Sequence, residues 1–276
     1  MNSLSKKVCL LGLTIAATLL ATVSQAYVTP VTLTDQNSVA KVDVDSNAGM
    51  YQWNINGIPQ LAQQWFWYRI DPQAYVQPIN SISSATYNQL AGPNTLFTKY
   101  ENSQLRVQIN YTLTGGTSSD SDILESISVK NNTAAAFTLH FFQYSDFDLD
   151  GSASGDTVSI DGDSSSGFWH AVQTKQLNQL SETVTSPNAT RCEAAVAGQI
   201  LTEFGTANYN LNNNQGPVGP DDVTWGLQWN FTVGAGATVD IFKDKRLDVA
   251  PVPEPAALGF VALGLAAFVL RRRARA

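Results

Sequence analysis

Histidine, cysteine and methionine are almost missing: two of each in 276 residues. So few imidazoles and thiols leave no paired-histidine metal motif, and no Gly-x-Ser-x-Gly elbow supplies a serine nucleophile. Charge is scarce too, at 14% of residues. Lys6, Lys7 and the four C-terminal arginines hold six of the sixteen basic residues. Setting these and Glu254 aside leaves ten bases against twenty-two acids in 27–250, a net charge of about −12. Such a body repels phosphate backbones, which excludes nucleic acid as a partner and favours divalent cations, basic partners or neutral polysaccharide. Cys9 lies in the N-terminal apolar run, so Cys192 is the single thiol of the body and no disulfide can form within it. No long amphipathic helix is written in the chain. The one candidate, Ala194 to Phe204, is short and contains Gly198.

Alternation of apolar and polar residues runs through the body instead. Leu105, Val107, Ile109, Tyr111 and Leu113 share one face, and Arg106, Gln108, Asn110 and Thr112 the other, the two-residue period of a half-buried strand. Gly115-Gly116 ends that run, and Ile123 to Val129 and Phe137 to Tyr144 follow as further strands. Tyr51, Trp53 and Ile55 alternate up to Asn56-Gly57, a two-residue hairpin signal. Trp225 to Val233 alternates, turns at Gly234-Ala235-Gly236 and is expected to return as a hairpin through Lys243. Short turns and abundant amide and hydroxyl side chains predict an all-β fold, an antiparallel β-sandwich of jelly-roll-like or Ig-like type, as one domain over 27–250.

The two ends read as addresses. Lys6 and Lys7 precede the apolar run Val8 to Leu20, and Ser24 and Ala26 place small residues where a signal peptidase reads, so residues 1–26 are expected to be a signal peptide. Residues 251–276 hold Pro253, Glu254 and Pro255, an uncharged span at 256–270, then Arg271, Arg272 and Arg273. As a helix the span reaches roughly 22 Å, short of a ~30 Å hydrocarbon core, so it makes a weak or transient membrane anchor. The arginines hold its cytoplasmic end, leaving the body outside. This tail resembles the PEP-CTERM sorting signal of exported bacterial proteins. The resemblance implies recognition and removal of the tail by an exosortase, a cell-surface or extracellular destination, and the company of exopolysaccharide and biofilm matrix.

Asp146, Asp148, Asp150 and Gly151 match the opening of an Asp-x-Asp-x-Asp-Gly calcium loop, where oxygen ligands at alternate positions converge on one ion. Thr157 stands where a bidentate glutamate belongs in an EF-hand, and Asp156 is the nearest acid to supply the missing charge. The competing reading has Phe147 and Leu149 facing the core, with the aspartates merely solvated beside an Asp-Gly turn. Trp65 and Trp67 share a strand face and are candidates for stacking on a sugar ring, although Phe66, Tyr68 and Ile70 make the opposite face equally apolar and point to a buried central strand. His140, among alternating aromatics, reads as a satisfied strand histidine, and His170 is at most a lone ligand or base. The expectation is therefore an exported, non-catalytic surface or matrix protein, not an enzyme. A calcium-dependent carbohydrate-binding or adhesion module and a secreted carbohydrate-active hydrolase using a carboxylate pair stand as alternatives.

Overall fold

A computed structural model describes residues 30–250 apart from positions 90 and 118. Both targeting segments, with Ser24, Ala26, the 256–270 span and the residues of the sorting signal, lie outside the described residues. Within them no helix is long and apolar enough to cross a membrane.

The chain opens with β1 (Val31–Asp35), β2 (Ser38–Asp43), β3 (Gly49–Ile55), β4 (Ile58–Pro59), β5 (Gln63–Ile70) and β6 (Gln77–Pro78). It continues through β7 (Thr86–Asn88), β8 (Thr95–Glu101), β9 (Leu105–Gly115), β10 (Asp120–Asn131) and β11 (Phe137–Asp146). Next come β12 (Asp156–Asp163), β13 (Gly167–Lys175), β14 (Asn178–Ser186) and β15 (Arg191–Val196). A short α1 (Gln199–Glu203), β16 (Val218–Asp221), β17 (Val223–Val233) and β18 (Thr238–Asp248) complete it. The first sheet runs β1-β2-β3-β5-β11-β17-β15, with β4 on β3 and β6 on β5. The second runs β16-β12-β13-β14-β18-β10-β9-β8-β7. Pairing is antiparallel apart from a short parallel contact between β3 and β5. The result is an all-β sandwich whose two nine-stranded sheets share one apolar core.

The predicted alternation of β9 holds residue by residue, with Leu105, Val107, Ile109, Tyr111 and Leu113 all buried. Asn56-Gly57 makes the hairpin of β3 and β4, both residues at positive φ. β17 and β18, expected to pair, do not. β17 lies between β11 and β15 in the first sheet, and β18 between β14 and β10 in the second. Gly234 to Gly236 is a crossing between layers. The chain crosses likewise between β10 and β11, and Asn131 ties the two crossings together. Its Nδ2 donates to the Ala135 and Val233 carbonyls at 2.8 and 3.0 Å, and its backbone N–H to Ala237.

The interior also holds charge. Register sets Glu125 of β10 opposite Lys243 of β18, and Glu182 of β14 opposite Lys245. Lys245 Nζ stands 2.6 Å from Glu125 and 3.4 Å from Glu182; Lys243 contacts Glu125 and lies 3.6 Å from Glu182. Two acids and two bases meet in a buried layer, where burial and the charge of Lys245 lower the Lys243 ammonium and burial raises Glu182. From the first sheet, Gln143 donates to Glu182 at 2.9 Å and the Phe66 ring lies 5.0 Å from Lys243 Nζ.

Candidate functional site

Gln143 reaching the second sheet identifies the inward face of β11, so alternation turns His140, Phe142, Tyr144 and Asp146 to the outer face. Cross-strand partners join them there: Arg69 and Trp67 from β5, Asn230 and Gln228 from β17, and Arg191 and Glu193 from β15. The stretch 198–214, which includes α1, covers the middle of this face. Phe204 packs on Trp67 and Phe142 with centroids 5.3 and 5.4 Å apart, and Leu211 comes against Gly226, where a Cβ would stand 3.3 Å from it. Two polar centres remain, one toward each end of β11 and about 20 Å apart along the strand at ~3.3 Å per residue.

The first is a closed ring of side chains. Arg69, 3% exposed, donates to Asp71 at 2.9 Å and to Asn210 at 3.4 Å. Asp71 faces His140 Nε2 at 3.4 Å, and His140 Nδ1 meets Asn230 Oδ1 at 2.7 Å. Gln228 Nε2 donates to Asn230 and Asn210, each at 2.7 Å, closing the ring. The Leu211 N–H donates to Gln228 Oε1 at 2.9 Å, which fixes that amide's orientation. Gln228 therefore presents N–H to Asn230 Oδ1, and His140 Nδ1 must carry a proton to share the same oxygen. Nε2 is left facing a carboxylate whose side chain is 47% exposed. Nε2 accepts in the neutral ring and donates to Asp71 only in the imidazolium, so this pair changes between acceptor and donor with one proton. Arg69 Nε is buried with no partner among the described residues, so one donor of a buried cation remains uncommitted. The turn carrying Asp71 also walls a hollow of ≈ 460 Å³ lined by Tyr68, Gln73, Ala74, Tyr75, Gln77 and Ser81, a volume suited to a small ligand.

At the other end, Asp146, Asp148 and Asp222 bring carboxylate oxygens within 4.8 Å of one another. Burial and the neighbouring charges of Asp148 and Asp222 push Asp146 up to about 7, and burial first raises Asp156 to about 6. Of the four aspartates singled out in sequence, Asp146 and Asp148 are together and Asp156 lies close behind. Asp150 is exposed at φ 66°, turned out where the chain enters a single helical turn. Phe147 and Leu149 are buried, as the alternation requires. Asp222, from the bend between β16 and β17, is a member that sequence reasoning missed, since nothing local marks it.

Trp65 and Trp67 occupy the interior, whereas Trp169 is exposed. Trp65 is fully buried edge-on against Tyr100, and Trp67 is 4% exposed beneath Phe204. Two further constellations are closed to substrate or incomplete. Tyr209 Oη contacts Glu193 and stands 2.5 Å from Glu203, clasping the two carboxylates together with no gap between them. On the second sheet His170 lies 2.9 Å from Asp161 and 3.0 Å from Ser181. Backbone amides there are committed to the ladder, so no donors converge on an oxyanion.

A family model of the PEP-CTERM protein-sorting motif matches residues 251–273, which include Pro253, Glu254, Pro255, Arg271, Arg272 and Arg273. The chain carries the mark of an exported exosortase substrate. No curated protein matches it. Among solved structures it is similar to a bacterial glucoamylase complexed with acarbose, at TM-score 0.54 and 6% identity over 83% of this chain and 32% of that one. It therefore spans about a third of the glucoamylase's length. A putative aldose 1-epimerase from Escherichia coli K12 is similar at TM-score 0.53 and 11% identity, over 81% of this chain and 99% of that one. For a galactose mutarotase-like protein from Lactobacillus casei the values are 0.50 and 8%, over 79% and 99%. At these identities the likeness is one of fold. It overturns the expectation of a non-enzyme: scarcity of histidine and cysteine had argued against catalysis, but this sandwich is a framework of carbohydrate-active enzymes, and such chemistry needs few imidazoles. The chain is an exported protein bearing a PEP-CTERM sorting signal on a β-sandwich of aldose-epimerase-like fold.

Proposed function

We propose that the exported body binds a sugar on the outer face of its first sheet and exchanges protons with its anomeric centre through His140 and Asp71. The observation that carries this reading is the fixed protonation of His140 Nδ1, which leaves Nε2 beside a half-exposed carboxylate. Opening a cyclic aldose requires loss of the anomeric hydroxyl proton and gain of a proton at the ring oxygen. With His140 as the imidazolium, protonated at both ring nitrogens, Asp71 takes the first, the C1–O5 bond breaks as C1–O1 becomes a carbonyl, and His140 Nε2–H protonates O5, leaving a neutral ring that keeps its Nδ1 proton. Rotation about C1–C2 and reversal of the same transfers give the other anomer. Arg69 holds Asp71 in place. The likeness to proteins named aldose 1-epimerase and mutarotase supports the reading at the level of fold. Anomer exchange of D-galactose and D-glucose, followed by NMR magnetisation transfer, tests it. Wild-type protein is expected to accelerate exchange, and His140→Ala or Asp71→Asn to remove about a hundredfold or more of that acceleration. Folded wild-type protein that accelerates neither sugar, or variants as active as wild type, would overturn it.

A further inference from the structure

At the opposite end of β11 from the polar ring, we infer that Asp146, Asp148 and Asp222, backed by Asp156, form a calcium site that fastens the ends of β11 and β17 to the loop between β11 and β12. Three carboxylates alone would report only repulsion. The independent observation is Asp156, which is wholly buried and whose two carboxylate oxygens accept no well-formed hydrogen bond among the described residues, with a long ion pair to Lys175 and weak approaches by Gln173 and the Leu149 backbone as its company. The Gln173 amide beside it donates instead to the Phe147 carbonyl at 2.6 Å. Lys175 Nζ pairs with it only at 3.9 Å and donates at 2.7 Å to the Ser152 carbonyl. Asp156 pairs in register with Asp221, next to Asp222, and its charge acts on Asp146. Asp146 Oδ1 is likewise buried and unpartnered among the described residues. Orphaned anionic oxygens in a protected site are costly unless something positive meets them.

The dimensions fit a large hard cation. Calcium takes oxygen at about 2.3–2.6 Å, so two ligands of one ion stand at most about 4.8 Å apart. The three carboxylate oxygens satisfy that limit without moving. Tyr144, whose Oη donates to Asp146 Oδ2 at 3.2 Å, orients the other oxygen of that carboxylate. The arrangement differs from a linear calcium loop. Its third close ligand comes from a bend between β16 and β17, 74 positions beyond Asp148 by the numbering, and Asp150 stands outside.

The experiment is thermal unfolding of the full chain in mild detergent, with calcium chloride and with EDTA, beside calcium titration by calorimetry. Wild type and Asp150→Asn are expected to bind one calcium ion and to melt about 5 °C or more higher at a hundredfold excess over Kd. Asp222→Asn and Asp146→Asn are expected to lose that response. Both should melt in EDTA no lower than wild type, because each relieves repulsion, so loss of response is distinct from failure to fold. Absence of a calcium response in wild type, or its loss in Asp150→Asn with retention in Asp222→Asn, would overturn the site. Sugar exchange at His140 is read separately, so either result leaves the other standing.

Discussion

Replacing Lys243 by methionine tests how charge is carried between the sheets. The four side chains of the buried cluster are 0 to 2% exposed, two acids against two bases, with the Lys243 ammonium lowered by burial and by the charge of Lys245. Methionine retains most of the volume but leaves Glu125 and Glu182 facing the single ammonium of Lys245. Burial already raises Glu182 above the ordinary carboxylate range, so the surplus negative charge meets no solvent to relieve it. Removing one member of a buried pair costs about 3–5 kcal/mol. At about 2–4 °C per kcal/mol for a domain of this size, the melting temperature should fall by roughly 6–20 °C. The loss should be smaller at pH 5 than at pH 8, because proton uptake by Glu182 cancels the surplus. Lys243→Met combined with Glu125→Gln restores neutrality and should recover at least half of the loss. Calorimetric unfolding of all three proteins at both pH values is the assay. A single-variant loss below about 1 kcal/mol, the range of an exposed ion pair, would refute the reasoning. So would a double variant less stable than the single one.

Two further outcomes follow from the segment covering the first sheet. Burial raises the Glu193 carboxyl, with the nearby charge of Glu203 adding to it. A raised folded value means that its contribution is full at acid pH and is lost as pH rises through that value. Stability of wild type should decline above about pH 4.5, the ordinary glutamate range, and Glu193→Gln should flatten the curve; equal slopes in a pH series of melting temperatures would count against the clasp. Phe204→Ala should cost about 3 kcal/mol by uncovering Trp67 and Phe142, and should shift tryptophan emission to the red; an unchanged spectrum and melting point would contradict the packing.

The strands were legible because a two-residue period is a local signal, and in β9 each inward position is apolar. Even the buried charge left a trace, since Glu125 falls in register between Ile123 and Ile127. Its partners did not, because Lys243 and Lys245 lie on β18, and only tertiary structure brings β18 beside β10. The same limit governs the turn at Gly234 to Gly236. Its glycines announce a reversal but do not say whether the next strand pairs with the last or crosses to the other layer. His140 was read as a satisfied strand histidine, and both its ring nitrogens do have partners. What made it a candidate site was Arg69, Asp71 and the pinned amides of Gln228 and Asn230, contributed by two stretches of chain far from it in sequence. Arg69 within the apolar run Trp65 to Ile70 was the available clue, since a cation in a wholly buried strand must be held by something. For Asp222 no comparable clue exists.

The tie made by Asn131 bears on how the protein can be produced. Asn131-Asn132-Thr133 is an acceptor triplet for N-linked glycans in a eukaryotic secretory pathway. The atom that would carry the sugar is the Nδ2 that holds both layer crossings, inside a residue with no exposed surface. A glycan added there before folding would keep the two sheets from closing. The same triplet at Asn188, which is exposed, carries no such penalty. A yeast or mammalian host therefore suits this protein only with Thr133 replaced, and Thr232 too, since Asn230-Phe231-Thr232 would set a glycan on the polar ring, whereas a bacterial periplasm needs no change.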